Sequence, residues 1–218
     1  MAGAKLTISS RNYSSWSLRA WLFCQMAGLD VEVESVPVDD PNNRAELLLL
    51  SPTVLTPRLE HNGASVWDTM AIAEYLEENF PKADLLPAER IKRAHCRSVC
   101  GEMHAGFYNL RSALPMNLRG RYPGYRVFTG AKSDIRRVLT IWTECFEQYR
   151  GRFLFGDQPT LADAMYAPVC TRFVTYDVAL EGKAAEYPDR IMDWGPMQQW
   201  VEESKSEPIE IEELDIDF

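Results

Sequence analysis

The sequence predicts a small α/β layer domain over residues 1–80, followed by an all-helical domain over residues 88–218. Three observations carry this. The first eighty residues read strand, helix, strand, irregular helix, hairpin, helix, the order of a small α/β layer unit. Asn62-Gly63 lies between two alternating apolar runs, and both residues suit the positive φ of a two-residue hairpin turn. Beyond Pro81 and Pro87, which mark a linker, the apolar residues recur at helical spacing.

The first strand is short and centred on Leu6 and Ile8. Trp16, Ala20, Phe23, Cys24 and Ala27 then form one helical face, and Gly28 is a natural stop. Ser14 and Ser15 sit where strand hands over to helix. A serine there is an N-cap, and a hydroxyl beside free N–H groups also stabilises a thiolate, whose pKa the helix dipole lowers. Val31, Val33 and Val36 make the second strand, and an irregular helix follows before the hairpin.

Residues 58–61 and 64–67 are the two hairpin strands. Pro57 precedes them and cannot donate to a ladder. Two readings follow. In one, a tight, cis-type connection frees the Thr56 N–H and C=O to pair with an extended peptide. In the other, Pro57 is a trans edge proline with nothing bound. Residues 69–80 carry Ile72, Ala73, Tyr75, Leu76 and Phe80 at helical spacing, and Pro81 ends the run. Asp68 or Thr69 is therefore an N-cap, at a helix start that attracts a carboxylate.

In the second half, residues 88–113 read as one long helix. Cys96, Cys100 and His104 fall four apart on it. We read this stripe as a packed face rather than a metal site, because a zinc site needs a fourth ligand from elsewhere. His104, Tyr108 and Arg111 at i, i+4 and i+7 share a face able to contact a polar or anionic co-substrate, or to make interdomain contacts. Residues 120–130 read as a loop, and residues 133–150, 160–179 and 194–204 as helices. The tail from Pro208 alternates acid and apolar residues.

A chain of 218 residues suffices for two small domains. No apolar run is long enough for a transmembrane helix, and no signal segment is evident, so a cytoplasmic location is expected. Five cysteines without framework spacing fit free thiols in a reducing compartment. The net charge of −9 disfavours nucleic acid as a partner. An anionic ligand must then rely on local cations such as Arg11, Arg19 and Arg58, of which Arg19 is read as a brace for the first helix.

These motifs resemble the cytosolic glutathione transferase superfamily, whose first domain is thioredoxin-like. Ser14-Ser15-Trp16-Ser17-Leu18-Arg19 is similar to the serine motif of zeta-class enzymes, with Ser14 in the place of the catalytic hydroxyl and Ser15 beside it. Thr56-Pro57 looks like the residue-plus-cis-proline step that pairs with the cysteinyl backbone of glutathione. Asp68-Thr69 looks like the pair gripping its γ-glutamyl group, with Arg58 nearby. The run from Phe153 to Ala164 resembles the family's buried capping motif, and Thr160 with Asp163 has capping-box spacing. Trp16 stands where zeta enzymes carry cysteine.

The resemblance implies a homodimeric transferase that joins the glutathione thiolate to a small electrophile, the electrophile lying over His104, Tyr108 and Arg111. Three other readings stay open. They are a zeta-like cis–trans isomerase of the maleylacetoacetate type, a glutathione-dependent reductase, and a noncatalytic regulatory relative.

Overall fold

Ala4, Leu6 and Ile8 alternate with Lys5 and Thr7, and this period-two pattern forms strand β1 (Ala4–Ile8). The computed structural model describes residues 3–36 and 56–208. β1 pairs in parallel with β2 (Val31–Ser35) and antiparallel with β3 (Arg58–His61), which pairs with β4 (Ala64–Trp67) across the Asn62-Gly63 turn. The strand order is β2-β1-β3-β4. Register aligns Leu6 with Val33 and Leu59, and Leu59 with Val66, so one sheet face is apolar. Helices α1 (Ser15–Met26) and α2 (Thr69–Asn79) pack together beside the sheet.

The hairpin strands lie where the turn signal puts them, and α2 starts and stops at its Asp68 cap and Pro81. Gly28 has φ +68, the left-handed geometry expected of a helix stop. The irregular helix expected before residue 56 and the acidic tail beyond Pro208 lie outside the described residues.

The helical half comprises α3 (Arg90–Ala105), α4 (Tyr108–Ala113), α5 (Thr129–Tyr149), α6 (Leu161–Thr175), α7 (Tyr187–Met192) and α8 (Gly195–Ser204). The expected single helix over 88–113 is in fact α3 and α4, split at Gly106-Phe107. A Cβ at Gly106 would meet the Glu102 carbonyl oxygen at 2.7 Å, and Phe107 is left-handed with φ +59. Backbone approach therefore demands glycine at 106 and redirects the chain. The expected helix over 160–179 stops at Thr175, and α7 was not foreseen.

Core side chains such as Trp142, Tyr166, Tyr187 and Trp200 are fully buried. Each contributes about 1.5–3 kcal/mol of apolar burial. The α6 start is held by Asp163, which has no solvent exposure. Asp163 Oδ1 accepts from Leu154 N (2.9 Å) and the Tyr187 hydroxyl (2.8 Å). Asp163 Oδ2 accepts from Thr160 N (2.8 Å) and Thr160 Oγ1 (3.0 Å). Burial raises the Asp163 pKa, and these four bonds oppose the rise.

Asp163→Ala leaves those four donors without their acceptor inside the protein. The expected loss is about 3–5 kcal/mol of stability, read as a lower urea midpoint. A loss under about 1 kcal/mol would show that the motif does not anchor the fold.

Candidate functional site

Ser14 caps α1: its backbone is extended (φ −91, ψ 99) and its Oγ accepts from Ser17 N at 3.2 Å. The Ser17 hydroxyl also donates to Ser14 Oγ, at 2.8 Å. With both bonds accepted, the Ser14 proton is free to point away from the helix. Ser14 is half-buried, whereas Ser15 is the first helical residue and buried. The Thr56–Pro57 bond is cis and lies at the head of β3.

Asp68 caps α2 from an unusual backbone position, φ +71 and ψ 133. Its Oδ1 accepts from Met70 N at 2.8 Å and Ala71 N at 3.4 Å. Its Oδ2 lies 3.3 Å from His104 Nε2. A non-glycine residue held there is strained, and such strain concentrates at binding sites. Thr69, the next residue, is buried.

His104 links this cap to the first helix. Its ring packs edge-on against Trp16 with centroids 5.3 Å apart, and its Nδ1 is buried with no partner among the described residues. Trp16 also meets two guanidinium groups, Arg19 at 4.5 Å and Arg111 at 5.3 Å from its ring centre. Cation–π contact holds them against the indole. The indole is thus shared by Asp68's partner His104 and by the two arginines.

Arg19 and Arg172 are buried, and Arg111 is half-buried. Arg19 Nε donates to the Met165 carbonyl at 2.8 Å. Arg19 NH2, Arg111 Nε and Arg172 Nε and NH1 are buried without partners among the described residues. Burial first, then the neighbouring Arg172 and Arg111 charges, pull the Arg19 pKa well below its ordinary value. Burial and then Arg111 lower that of Arg172 to about 10. Among the described residues no ion pair of these three arginines is formed. Crowded, desolvated cations with open donors make a site for an anion.

Several sequence expectations find other places. Arg11 bonds Glu203 and lies over Trp200. Arg58 stands 3.4 Å from Glu60, two residues along its own strand and on the opposite face from Leu59. The helix break leaves Tyr108 74% exposed, so the i, i+4, i+7 face is not continuous. Cys96 and Cys100 are core residues. Arg172 was missed, although a lone charge in the apolar run of α6 was a visible signal.

The chain's five cysteines are all buried free thiols. Burial pushes Cys24 and Cys145 up to about 12, and raises Cys170 well above its ordinary value. Cys100 is raised well above as well, by its bond with Cys96 and then by burial.

The family model of the glutathione S-transferase N-terminal domain matches residues 13–79, and that of the C-terminal domain matches residues 125–203. The chain belongs to the glutathione transferase family. Its sheet half is the thioredoxin-like domain of that family and its second half the helical domain. It is similar to a probable maleylacetoacetate isomerase of Caenorhabditis elegans, with 27% identity covering 78% of this chain and 79% of that protein. It is also similar to the maleylacetoacetate isomerase of Pseudomonas aeruginosa, with 29% identity covering 81% and 84%. A Burkholderia glutathione transferase homologue, solved with bound glutathione, has the same fold: TM-score 0.69, 24% identity, and 94% and 98% of the two chains covered.

The transferase-family frame makes the arginine cluster testable by stability alone. Arg172→Met removes a buried cation with two open donors. It is expected to leave the ligand-free protein as stable or up to about 4 kcal/mol more stable in urea. Succinate or malate near 100 times its dissociation constant should stabilise the wild type by about 2.7 kcal/mol, and the variant much less. Equal stabilisation of both would place the anion elsewhere.

Proposed function

We propose that this protein is a glutathione-dependent enzyme that brings the glutathione thiolate to a small electrophile bearing a carboxylate. The observation that carries this reading is the pair Arg19 and Arg111 against Trp16, two residues from Ser14, which with Arg172 form no ion pair among the described residues. The Thr56 backbone pairs with the cysteinyl portion of the peptide, and Asp68 with Thr69 receives its γ-glutamyl end. The Ser14 hydroxyl donates to the thiolate, aided by the free N–H groups of the α1 start. Arg111 and Arg172 take the carboxylate, while Arg19, already tied to Met165, holds the indole. His104 lines the boundary between the two ligands.

The sulfur attacks an electron-poor carbon of the electrophile. In the transferase reading a new C–S bond is kept: addition to a double bond leaves a carbanion that takes a proton from water, and substitution expels a leaving group. The arginine cluster also favours a second reading, cis–trans isomerisation of a diketo diacid. There the adduct rotates about the former double bond and expels the thiolate, so glutathione returns unchanged. Both readings share the first step and the same residues. A glutathione-dependent reductase is not favoured, since serine at position 14 cannot form a mixed disulfide. The five cysteines are free thiols, the state a reducing cytoplasm maintains. A homodimer is proposed with this reading, and a monomeric sedimentation mass would overturn it.

Titration of the thiol by ultraviolet absorbance, with glutathione bound, tests the serine. A hydrogen bond to a charged group contributes about 1.5–3 kcal/mol, equivalent to about 1–2 pKa units. Ser14→Ala is expected to raise the bound thiol pKa by that amount, while Ser15→Ala leaves it unchanged; a rise only in Ser15→Ala reverses the assignment. Incubation with a maleyl-type diketo acid then separates the outcomes: consumption of glutathione mole for mole marks a transferase, and a trans product with glutathione recovered marks an isomerase. No binding at millimolar glutathione would reject both.

A further inference from the structure

Ser9 N donates to Ser17 Oγ of α1 at 3.3 Å, but the N–H groups of residues 11–13, which lead directly to Ser14, have no sheet or helix partner among the described residues. These donors are satisfied from the far end of the chain. Arg11 N donates to Glu207 Oε1 at 2.8 Å, and Asn12 N donates to Glu207 Oε2 at 2.9 Å. The Ser10 hydroxyl donates to the same Oε2 at 2.8 Å and accepts from Tyr13 N at 3.0 Å. Thus the N–H groups of residues 11, 12 and 13 are all tied to one carboxylate, directly or through Ser10.

Glu207 is only 9% exposed. Among the described residues no cation pairs with its carboxylate, and Arg119 donates to its backbone carbonyl at 3.1 Å. A buried carboxylate is costly unless hydrogen-bonded, and all three of its bonds come from this loop. Loop and carboxylate therefore dictate each other's position. Around them, Trp200 donates to the Arg11 carbonyl at 3.0 Å, and Leu118 N donates to Asn12 Oδ1 at 2.8 Å.

We propose that Glu207 is a positioning residue for the thiolate: its carboxylate fixes residues 10–13 and thereby aims the Ser14 hydroxyl. This rests on the reading of Ser14 as the thiolate's donor. Ser14 begins where Glu207's hold ends. Its oxygen is fixed from the helix side by Ser17, so the loop backbone alone sets the direction left for its proton. A shift of the loop by a few tenths of an ångström weakens the bond to sulfur without removing any group that touches glutathione.

The test is a double-mutant cycle read as the thiol pKa of bound glutathione, with calorimetric affinity and melting temperature measured alongside. Glu207→Ala is expected to raise the thiol pKa by about one unit, a roughly tenfold smaller thiolate fraction near neutrality, while affinity changes less than about threefold. Glu207→Gln keeps one acceptor and should shift it by about half as much. Combined with Ser14→Ala, neither change should add to the shift of Ser14→Ala alone, because both act through one hydroxyl.

A lower melting temperature with an unchanged pKa in both Glu207 variants would make Glu207 a mere staple and overturn the proposal, as would additive shifts. An unchanged pKa in Ser14→Ala is a different result, which overturns the serine reading and the positioning role with it. Should Glu207→Ala not fold, the Gln variant completes the same cycle.

Discussion

Arg19 is a cation with no exposure to solvent, and the rest of the site is arranged around its burial. Desolvating a guanidinium costs several kcal/mol, so its contacts are fixed ones. Its Nε reaches across to the Met165 carbonyl of α6, joining the thioredoxin-like half to the helical half. Its NH1 points back toward the Ser15 carbonyl at 3.5 Å, which ties it to the start of its own helix. Its plane lies on Trp16. One side chain thereby sets the docking of two domains, the start of α1 and the orientation of the indole that touches His104 and Arg111.

Asp163 and the arginine cluster contrast in a way that separates folding from function. Asp163 has four donors for its two oxygens, and its surroundings are complete. The arginine cluster has open donors and mutual repulsion. A satisfied network specifies one fold, while an unsatisfied one holds free energy that a ligand can release. Asp68 belongs with the second kind: its positive φ is strained, and its second oxygen faces His104 rather than the helix it caps.

Local chemistry made part of this legible. Asn62-Gly63 marks the hairpin and Asp68 the helix start because each needs only its immediate neighbours. Ser14, Asp68, His104 and Arg111 were all named from the sequence, and Trp16 gathers His104 and Arg111 around one ring. The break at Gly106-Phe107 was hidden, since a glycine inside a helical pattern costs only about 1 kcal/mol and reads as tolerated. What decides it is the approach of position 106 to the Glu102 oxygen. That break in turn removed Tyr108 from the shared face. Glu207 was missed for another reason: it acts on residues far away in sequence, and no periodicity encodes such a contact.

The distance between Glu207 and its loop also bears on how the protein is made. The sheet and α1 come from the first eighty residues, and a domain of that size folds as it emerges. The loop that leads to Ser14 cannot acquire its carboxylate until residue 207 has been added. Synthesis at about 5–20 residues per second puts that moment roughly 10–40 s after the loop itself appears. A growing chain therefore has the shape of its first domain before it has that domain's finished loop, and a codon almost two hundred positions downstream completes the loop.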